Sequence, residues 1–335
     1  MAAAAASIAL RGGARMPALG LGCWKIARDV CADAVYSALK AGYRHLDCAC
    51  DYGNERQVGA GIKRAVDEGV LKRDELWVTT KIWMTYHDPK YVEAALKRSL
   101  EDLGLAYLDL WLIHFPISLR FVPFDVRYPP EWTYDPSAAA PTMEYDNVPL
   151  IETYAAMRAL SGPAARVRHV GVCNMTTGLL ADLSRASARA GLEAPEVLQV
   201  EMHPYLVQEA LLRFCAAHGV AVTAFSPLGA GSYVELGMAT TAQSALADPV
   251  VAAVAARLGA SPAQVVLAWH LRRGVSAVPK SSQAARLAEN LAAADLAPRL
   301  SEEDVRAISA LDRKQRFNDP GAFTQGMNSF CPIFD

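Results

Sequence analysis

The stretch GLGCWK, residues 20–25, decides how the apolar segments of this chain are arranged. It closes a first apolar run, Ala18–Cys23, and leads into Asp29–Ala41, where Val30, Ala34, Val35, Ala38 and Leu39 recur at helical spacing. In an open, doubly wound sheet that holds a dinucleotide, this first strand-to-helix turn carries GxGxxG, whose third glycine lets helix and strand pack closely. Here Lys25 stands where that glycine would fall. A second GxG, Gly59-Ala-Gly61, lies inside the helical pattern Glu55–Glu68 rather than at a strand end. Neither glycine pair supports the open sheet.

Outward from that turn the same unit repeats. Apolar runs at Tyr43–Leu46, Leu76–Thr80, Leu108–Ile113, Val167–Cys173, Glu196–Val200, Val220–Phe225 and Val275–Val278 read as strands. Helical patterns follow them at Glu55–Glu68, Asp88–Leu103, Val148–Leu160, Thr176–Ala190, Gln208–His218, Asp248–Leu258, Ser261–Arg272, Gln283–Ala293 and Ser301–Leu311. Asp88-Pro89, Asp248-Pro249 and Ser261-Pro262 are helix starts, and Ser301 with Asp304 resembles a capping box. Eight short apolar strands alternating with helices imply a parallel sheet covered on its outer face. The expected fold is α/β: a single (β/α)8 TIM barrel over residues 1–335, with an N-terminal β-hairpin. Residues 1–15 are expected to be a flexible N-terminus. Long loops after the fourth and seventh barrel strands (Pro116–Asp146 and Gly229–Ala247) read as lids or specificity loops. An irregular tail, 313–335, is expected over the active site.

Bulk properties narrow the function. The 335 residues carry a formal charge of −2, which gives no general reason to bind nucleic acid or a membrane. Hydrophobic residues make up 52%, too many for a chain that is mainly disordered. No run of 18 apolar residues suggests a membrane span, and no signal peptide is recognisable. Seven scattered cysteines (23, 31, 48, 50, 173, 215 and 331) lack metal-site spacing and read as reduced thiols. His45, Cys48 and Cys50 have no second ligand pair beside them, so no metal is expected. Cytoplasm is the expected location.

In a barrel the active site lies at the C-terminal strand ends. Four chemically matched residues fall there: Asp47 and Tyr52 after one strand, Lys81 after the next and His114 after the next. Each alone reads as an ordinary structural group; the set reads as a proton donor to a carbonyl oxygen. A free tyrosine has a pKa of about 10. An adjacent ammonium, Lys81, favours the phenolate and brings the proton within reach of transfer, and Asp47 keeps Lys81 charged and in place. A neutral His114 orients the substrate oxygen. The expected reaction is carbonyl reduction, with hydride from a nicotinamide and the proton from Tyr52.

The motifs DCACDYGNE, TTKIW, LIHFP, GVCN, QVEMHPYL, FSPLG and VPKSSQAARLAEN occur in the order and spacing of the aldo-keto reductases. The resemblance covers nearly the whole chain. It implies a barrel that binds NADPH, with NADH as a second cofactor, and Asp47, Tyr52, Lys81 and His114 as the catalytic tetrad. It implies Asn174 and Gln199 on the nicotinamide amide. Phe225, where the family usually has tyrosine, would stack on the ring, with Ser226 and Leu228 beside it. Cys173 replaces the usual serine. Lys280, Ser281, Ser282 and Arg286 match the 2′-phosphate segment, and Glu289 and Asn290 the adenine contacts. Within the family the chain is most similar to the D-xylose reductases, through IHFPISLRFVPFDVRYPPEW (113–132), RFNDP (316–320) and the final PIF. That likeness implies Trp24, Asp51, Phe115 and Asn318, with His114, as the aldose contacts, and Glu235 as a partner for the adenosine ribose hydroxyls of NADH. The implied activity is reduction of D-xylose and similar aldoses or aldehydes, by a monomer or homodimer. Two alternatives stand beside it: a broad aldehyde or aldose-6-phosphate reductase, and a cofactor-binding regulatory subunit on the same barrel.

Overall fold

The computed structural model describes residues 6–327, 329–331 and 333–334. Residues 1–5 and Pro332 of the final PIF lie outside the described residues. The barrel strands are β3 (Leu21–Gly22), β4 (His45–Asp47), β5 (Trp77–Ile82), β6 (Leu108–Ile113), β7 (Val167–Cys173), β8 (Val197–Glu201), β9 (Ala221–Phe225) and β10 (Val275–Ala277). They pair in parallel, each with its neighbour in sequence. The ring is closed by a parallel bridge between Leu19 and Ala277. There Gly20 N–H donates to the Ala277 carbonyl at 2.9 Å, and Ala277 N–H to the Ala18 carbonyl at 2.8 Å.

GLGCWK serves this closure. A Cβ at Gly20 would meet the His45 ring at 2.8 Å, and one at Gly22 would meet the Val278 carbonyl oxygen at 2.6 Å. The two glycines therefore allow close approach of neighbouring strands, and the strand expected over Ala18–Cys23 is regular only at Leu21–Gly22. Gly59 and Gly61 do the same within α2 (Glu55–Asp67). Their Cβ positions lie 2.3 Å from the Leu103 carbonyl oxygen, at the end of α3 (Pro89–Leu103), and 2.7 Å from the Ala32 carbonyl oxygen of α1 (Arg28–Ala41).

Side chains alternate along each strand between the lumen and the helices. On β5, Trp77 packs with Leu110, Leu112, Val197 and Ala221 inside the barrel, whereas Val78 and Ile82 join the layer beneath the helices. The outer layer continues with α4 (Leu150–Ala159), α5 (Thr177–Arg189), α6 (Glu209–Ala217), α7 (Pro249–Leu258), α8 (Pro262–Arg272), α9 (Ala284–Leu291), α10 (Ala293–Leu296) and α11 (Glu302–Ser309). The start signals act as read. Asp88 accepts from Lys90 N–H at 3.1 Å and Asp248 from Val250 N–H at 3.0 Å, while Ser261–Gln264 and Ser301–Asp304 form capping boxes. The helix expected over Gln283–Ala293 is broken at Ala292 into α9 and α10.

Much of the N-terminal segment expected to be flexible is regular: β1 (Ser7–Ala9) pairs antiparallel with β2 (Arg15–Pro17). Leu10 and Met16 carry this hairpin onto the lumen residues Trp77, Val197 and Ala221, which stops the N-terminal end of the barrel. The two long loops cover the other end. The loop after β6 is pinned by the Leu119–Tyr145 bridge and by aromatic contacts such as Tyr86 with Phe124, 4.5 Å apart. The loop after β9 is a chain of short 3-10 turns between Gly229 and Ala247. The tail includes α12 (Pro320–Phe323) and reaches the same end. Among the described residues no single helix is long and apolar enough to cross a membrane.

Candidate active site

Asp47 and Lys81 lie within the final residues of β4 and β5, which run one and two places past the ends read from the apolar runs Tyr43–Leu46 and Leu76–Thr80. Their side chains therefore enter the lumen and are almost fully buried, at 2% and 1% exposure. Lys81 Nζ donates to both Asp47 carboxylate oxygens at 2.9 Å, to the Cys48 carbonyl at 2.7 Å and to Tyr52 OH at 3.1 Å. Tyr52 sits in a short 3-10 turn, Cys50–Tyr52, that ends on Gly53 at φ 66°. His114 follows β6, its ring edge-on to Tyr52 at 5.9 Å.

Burial controls the protonation of this group. Burial, the largest single influence, would push Lys81 down, but Asp47, Tyr52 and Cys173 together outweigh it and the ammonium ends above its ordinary value. The Tyr52 phenol is pushed up by burial, with Lys81 acting against that rise. The simple expectation of a phenol made more acidic by Lys81 thus gives way to one held protonated by its apolar surroundings, with the ammonium opposing. Burial, reinforced by Lys81 and His87, pushes His114 well below its ordinary value, so the imidazole is neutral at pH 7.

Asp47, Tyr52 and His114 form the floor of a cavity of about 480 Å³, and Lys81 is bonded to the first two of them behind that floor. Trp24, Asp51, His114, Phe115 and Asn318, the residues expected to touch an aldose, all line it. Burial, with Glu131 adding to it, pushes the Asp51 carboxyl up to about 7. Aromatic residues that the sequence reading did not single out complete the wall: Trp83, 5.1 Å from both His114 and Trp132, with Tyr233 and Phe323. Of these only Trp132 lies in the aromatic-rich loop after β6; Trp83 closes the motif TTKIW, Tyr233 belongs to the loop after β9 and Phe323 to the tail.

Asn174, Gln199, Phe225, Ser226, Leu228 and Lys280 line the same cavity. Asn174 and Ser226 hold left-handed backbone, at φ 56° and 45°; asparagine tolerates this conformation, whereas for serine it is uncommon and a mark of a constrained site. Asn174 donates through Nδ2 to the His114 carbonyl at 2.8 Å, while its Oδ1 is buried without a partner. Gln199 Nε2 donates to Asp47 Oδ1 at 2.7 Å. A partnerless buried amide oxygen, the Phe225 ring and an exposed lysine at the rim fit the carboxamide, ring and phosphate of a nicotinamide dinucleotide.

The remaining expected cofactor residues lie beyond the cavity wall. Ser281 is buried and accepts from Gln283 N–H at 3.1 Å. Ser282 and Arg286 are exposed, Asn290 is buried, and the Glu289 carboxylate accepts from the Ser261 hydroxyl. Glu235 pairs with Lys25 at 2.5 Å, and Lys25 also donates to the Ser232 carbonyl and lies 4.6 Å from the Trp24 ring centre. The His45 ring nitrogens are 3.2 Å from the Pro17 carbonyl and 3.2 Å from the Thr79 hydroxyl.

Comparison with known proteins places the site in a lineage. The NAD(P)H-dependent D-xylose reductase of Scheffersomyces stipitis is 44% identical over 316 residues, 94% of this chain and 96% of that protein. A probable NAD(P)H-dependent D-xylose reductase of Arthroderma otae is 42% identical over 332 residues, 98% and 97% of the two chains. Among solved structures, a Bombyx mori aldo-keto reductase in complex with NADP superposes with a TM-score of 0.79 at 32% identity, covering 95% of this chain and 96% of that one. The model of the aldo/keto reductase family matches residues 16–313. The barrel, the buried lysine–carboxylate–phenol cluster and these likenesses agree: the chain belongs to the aldo/keto reductase family.

Proposed function

We propose that this protein reduces aldoses and aldehydes to alcohols with NADPH, accepts NADH as a second cofactor, and takes D-xylose to xylitol. The observation that carries the reading is Lys81 Nζ, fixed by both Asp47 oxygens and 3.1 Å from the OH of Tyr52, which lines the floor of an aromatic cavity. Bound reduced nicotinamide supplies the hydride to the carbonyl carbon. Tyr52 gives its hydroxyl proton to the carbonyl oxygen, and the Lys81 ammonium stabilises the phenolate left behind. Asp47 maintains that ammonium against the cost of burial. His114, neutral, holds the carbonyl oxygen toward Tyr52. Asn174 and Gln199 orient the nicotinamide amide, and the Phe225 face supports the ring.

The Trp24 and Phe115 walls exclude water, while Asp51 and Asn318 read hydroxyls. Lys280, Ser281, Ser282 and Arg286 take the 2′-phosphate, and Glu289 and Asn290 the adenine. The kinship with D-xylose reductases, whose names state NAD(P)H dependence, supports the choice of substrate and cofactor. The protein works as one barrel domain, as a monomer or homodimer, in the cytoplasm. Its seven free cysteines suit a reducing compartment.

The test is NADPH consumption with glyceraldehyde, xylose and mannose 6-phosphate. Folded protein that oxidises NADPH with none of them overturns the reading. Tyr52→Phe is expected to abolish nearly all turnover with NADPH affinity almost unchanged, and a variant with half the activity removes the role given to Tyr52.

A further inference from the structure

We propose that Glu201 is the positioning residue that sets the C-terminal tail, and with it Asn318, against the substrate cavity. The proposal rests on the aldose-reductase reading above. Glu201 is the last residue of β8, two places beyond Gln199, and its side chain is fully buried. It does not line the cavity, and among the described residues its carboxylate is hydrogen-bonded to none of Asp47, Tyr52, Lys81 and His114. Its carboxylate instead gathers donors from far along the chain. Oε1 accepts from Phe317 N–H at 2.9 Å, and Oε2 accepts from Asn318 N–H at 2.8 Å. His203 Nε2 lies 2.9 Å from Oε1. A carboxylate cannot donate, so that nitrogen carries the imidazole proton.

Three donors converging on one buried group require oxygens that only accept. An amide would point its own NH2 at one of them, and an apolar residue would leave two backbone N–H groups buried and unpaired. The anchored segment is coupled to the other side of the cavity. The Phe317 ring stacks on Tyr233 at 5.6 Å and lies 5.2 Å from His203. Tyr233 in turn bonds Ser226 at 2.8 Å and packs 5.8 Å from Trp24. The loop after β9 also rests on this pair: a Cβ at Gly229 would stand 3.4 Å from the His203 ring. Burial pushes the nearby Arg316 guanidinium down, while Glu201 and Asp319 act to hold it charged. Glu201 and His203 thus join the end of β8, the tail and the loop after β9.

The position assigned to Glu201 predicts a split by substrate. Asn318 matters to a polyhydroxy aldehyde and has little to read on an alkyl one. Glu201→Gln is measured with NADPH against xylose and against butanal, alongside the wild type. We expect KM for xylose to rise about tenfold or more, with kcat and both butanal constants within about threefold of wild type. Equal shifts for the two aldehydes, as from a general loss of structure, or no shift for xylose, overturn the proposal. A wild type that reduces neither aldehyde ends the reductase reading instead. In that case, or if the variant does not fold, amide hydrogen exchange of the wild-type protein decides. Phe317 and Asn318 amides are expected to exchange far more slowly than those of Ala139 and Ala140 in the exposed part of the loop after β6. Exchange at the same rate overturns the anchoring.

Discussion

Replacing Lys81 by methionine tests the centre of the site, because it keeps the length of the side chain and removes every donor. Lys81 Nζ makes four contacts: both Asp47 oxygens at 2.9 Å, the Cys48 carbonyl at 2.7 Å and Tyr52 OH at 3.1 Å. The variant leaves a carboxylate at 2% exposure with Gln199 Nε2 as its remaining side-chain donor. Breaking a buried ion pair from one side costs about 3–5 kcal/mol, since the remaining charge stays buried. In the wild type, burial pushes Lys81 down, but Asp47 with Tyr52 and Cys173 lifts it above its ordinary value. The lysine's contribution is therefore intact at neutral pH and is lost as pH rises from the ordinary lysine value through the raised one.

In Lys81→Met the Asp47 carboxylate keeps its burial and loses its cation, so the folded state carries an uncompensated charge. Urea unfolding at about pH 8, followed by tryptophan fluorescence, should show a deficit of that size. Adding Asp47→Asn to Lys81→Met should return about 1 kcal/mol or more at pH 8, because it removes the stranded charge. A single-variant deficit under about 1 kcal/mol, or a double variant no more stable than the single, would refute the reasoning.

Three further outcomes are expected. The raised Asp51 carboxyl titrates near pH 7, so its stabilising contribution, present below the ordinary carboxylate range, fades as pH rises through about 7. If its ionised form reads sugar hydroxyls, KM for xylose falls across the same interval and Asp51→Asn gives a flat profile; a wild-type profile already flat removes that role. Lys280→Ala should weaken NADPH binding about tenfold and NADH binding less than about threefold, and equal losses measured by fluorescence titration would argue against a phosphate contact. Gly59→Ala places a methyl 2.3 Å from the Leu103 carbonyl oxygen. Strain of that kind costs about 1–3 kcal/mol, and an unchanged denaturation midpoint would show that α2 and α3 can part without penalty.

The barrel was legible because its signal is local. Apolar runs such as Leu108–Ile113 and Val167–Cys173 coincide with β6 and β7, since strands covered on both faces are mostly apolar, with Asp109, Arg168 and His169 as the polar exceptions near their starts. Boundaries slipped where a polar side chain faces the lumen. Asp47 and Lys81 read as the residues beyond their strands, yet each belongs to one. Five residues expected at the substrate, Trp24, Asp51, His114, Phe115 and Asn318, meet in one cavity.

What the sequence concealed was pairing at long range. Lys25 with Glu235, or Glu201 with the Phe317 amide, joins segments that share no local pattern. The signal available for Glu201 was a carboxylate ending the apolar run Val197–Val200, in register with Gln199. The missing third glycine of GLGCWK excluded one fold, but why Gly20 and Gly22 are glycines became plain only from the strands pressed against them.

The seam between Leu19 and Ala277 has a consequence for biosynthesis. Strands β3 to β9 can pair one after another as they leave the ribosome, each with the neighbour made just before. The outer edge at Ala18–Gly20 has no such neighbour, because its partner is the last strand to be made. Until β10 emerges, the nascent chain is an open sheet with unpaired backbone along that edge, the kind of template on which other chains add strands. The ring shuts in a single late step that joins opposite ends of the sequence. Chaperone demand during synthesis should therefore peak shortly before residue 277 is exposed and fall once it is.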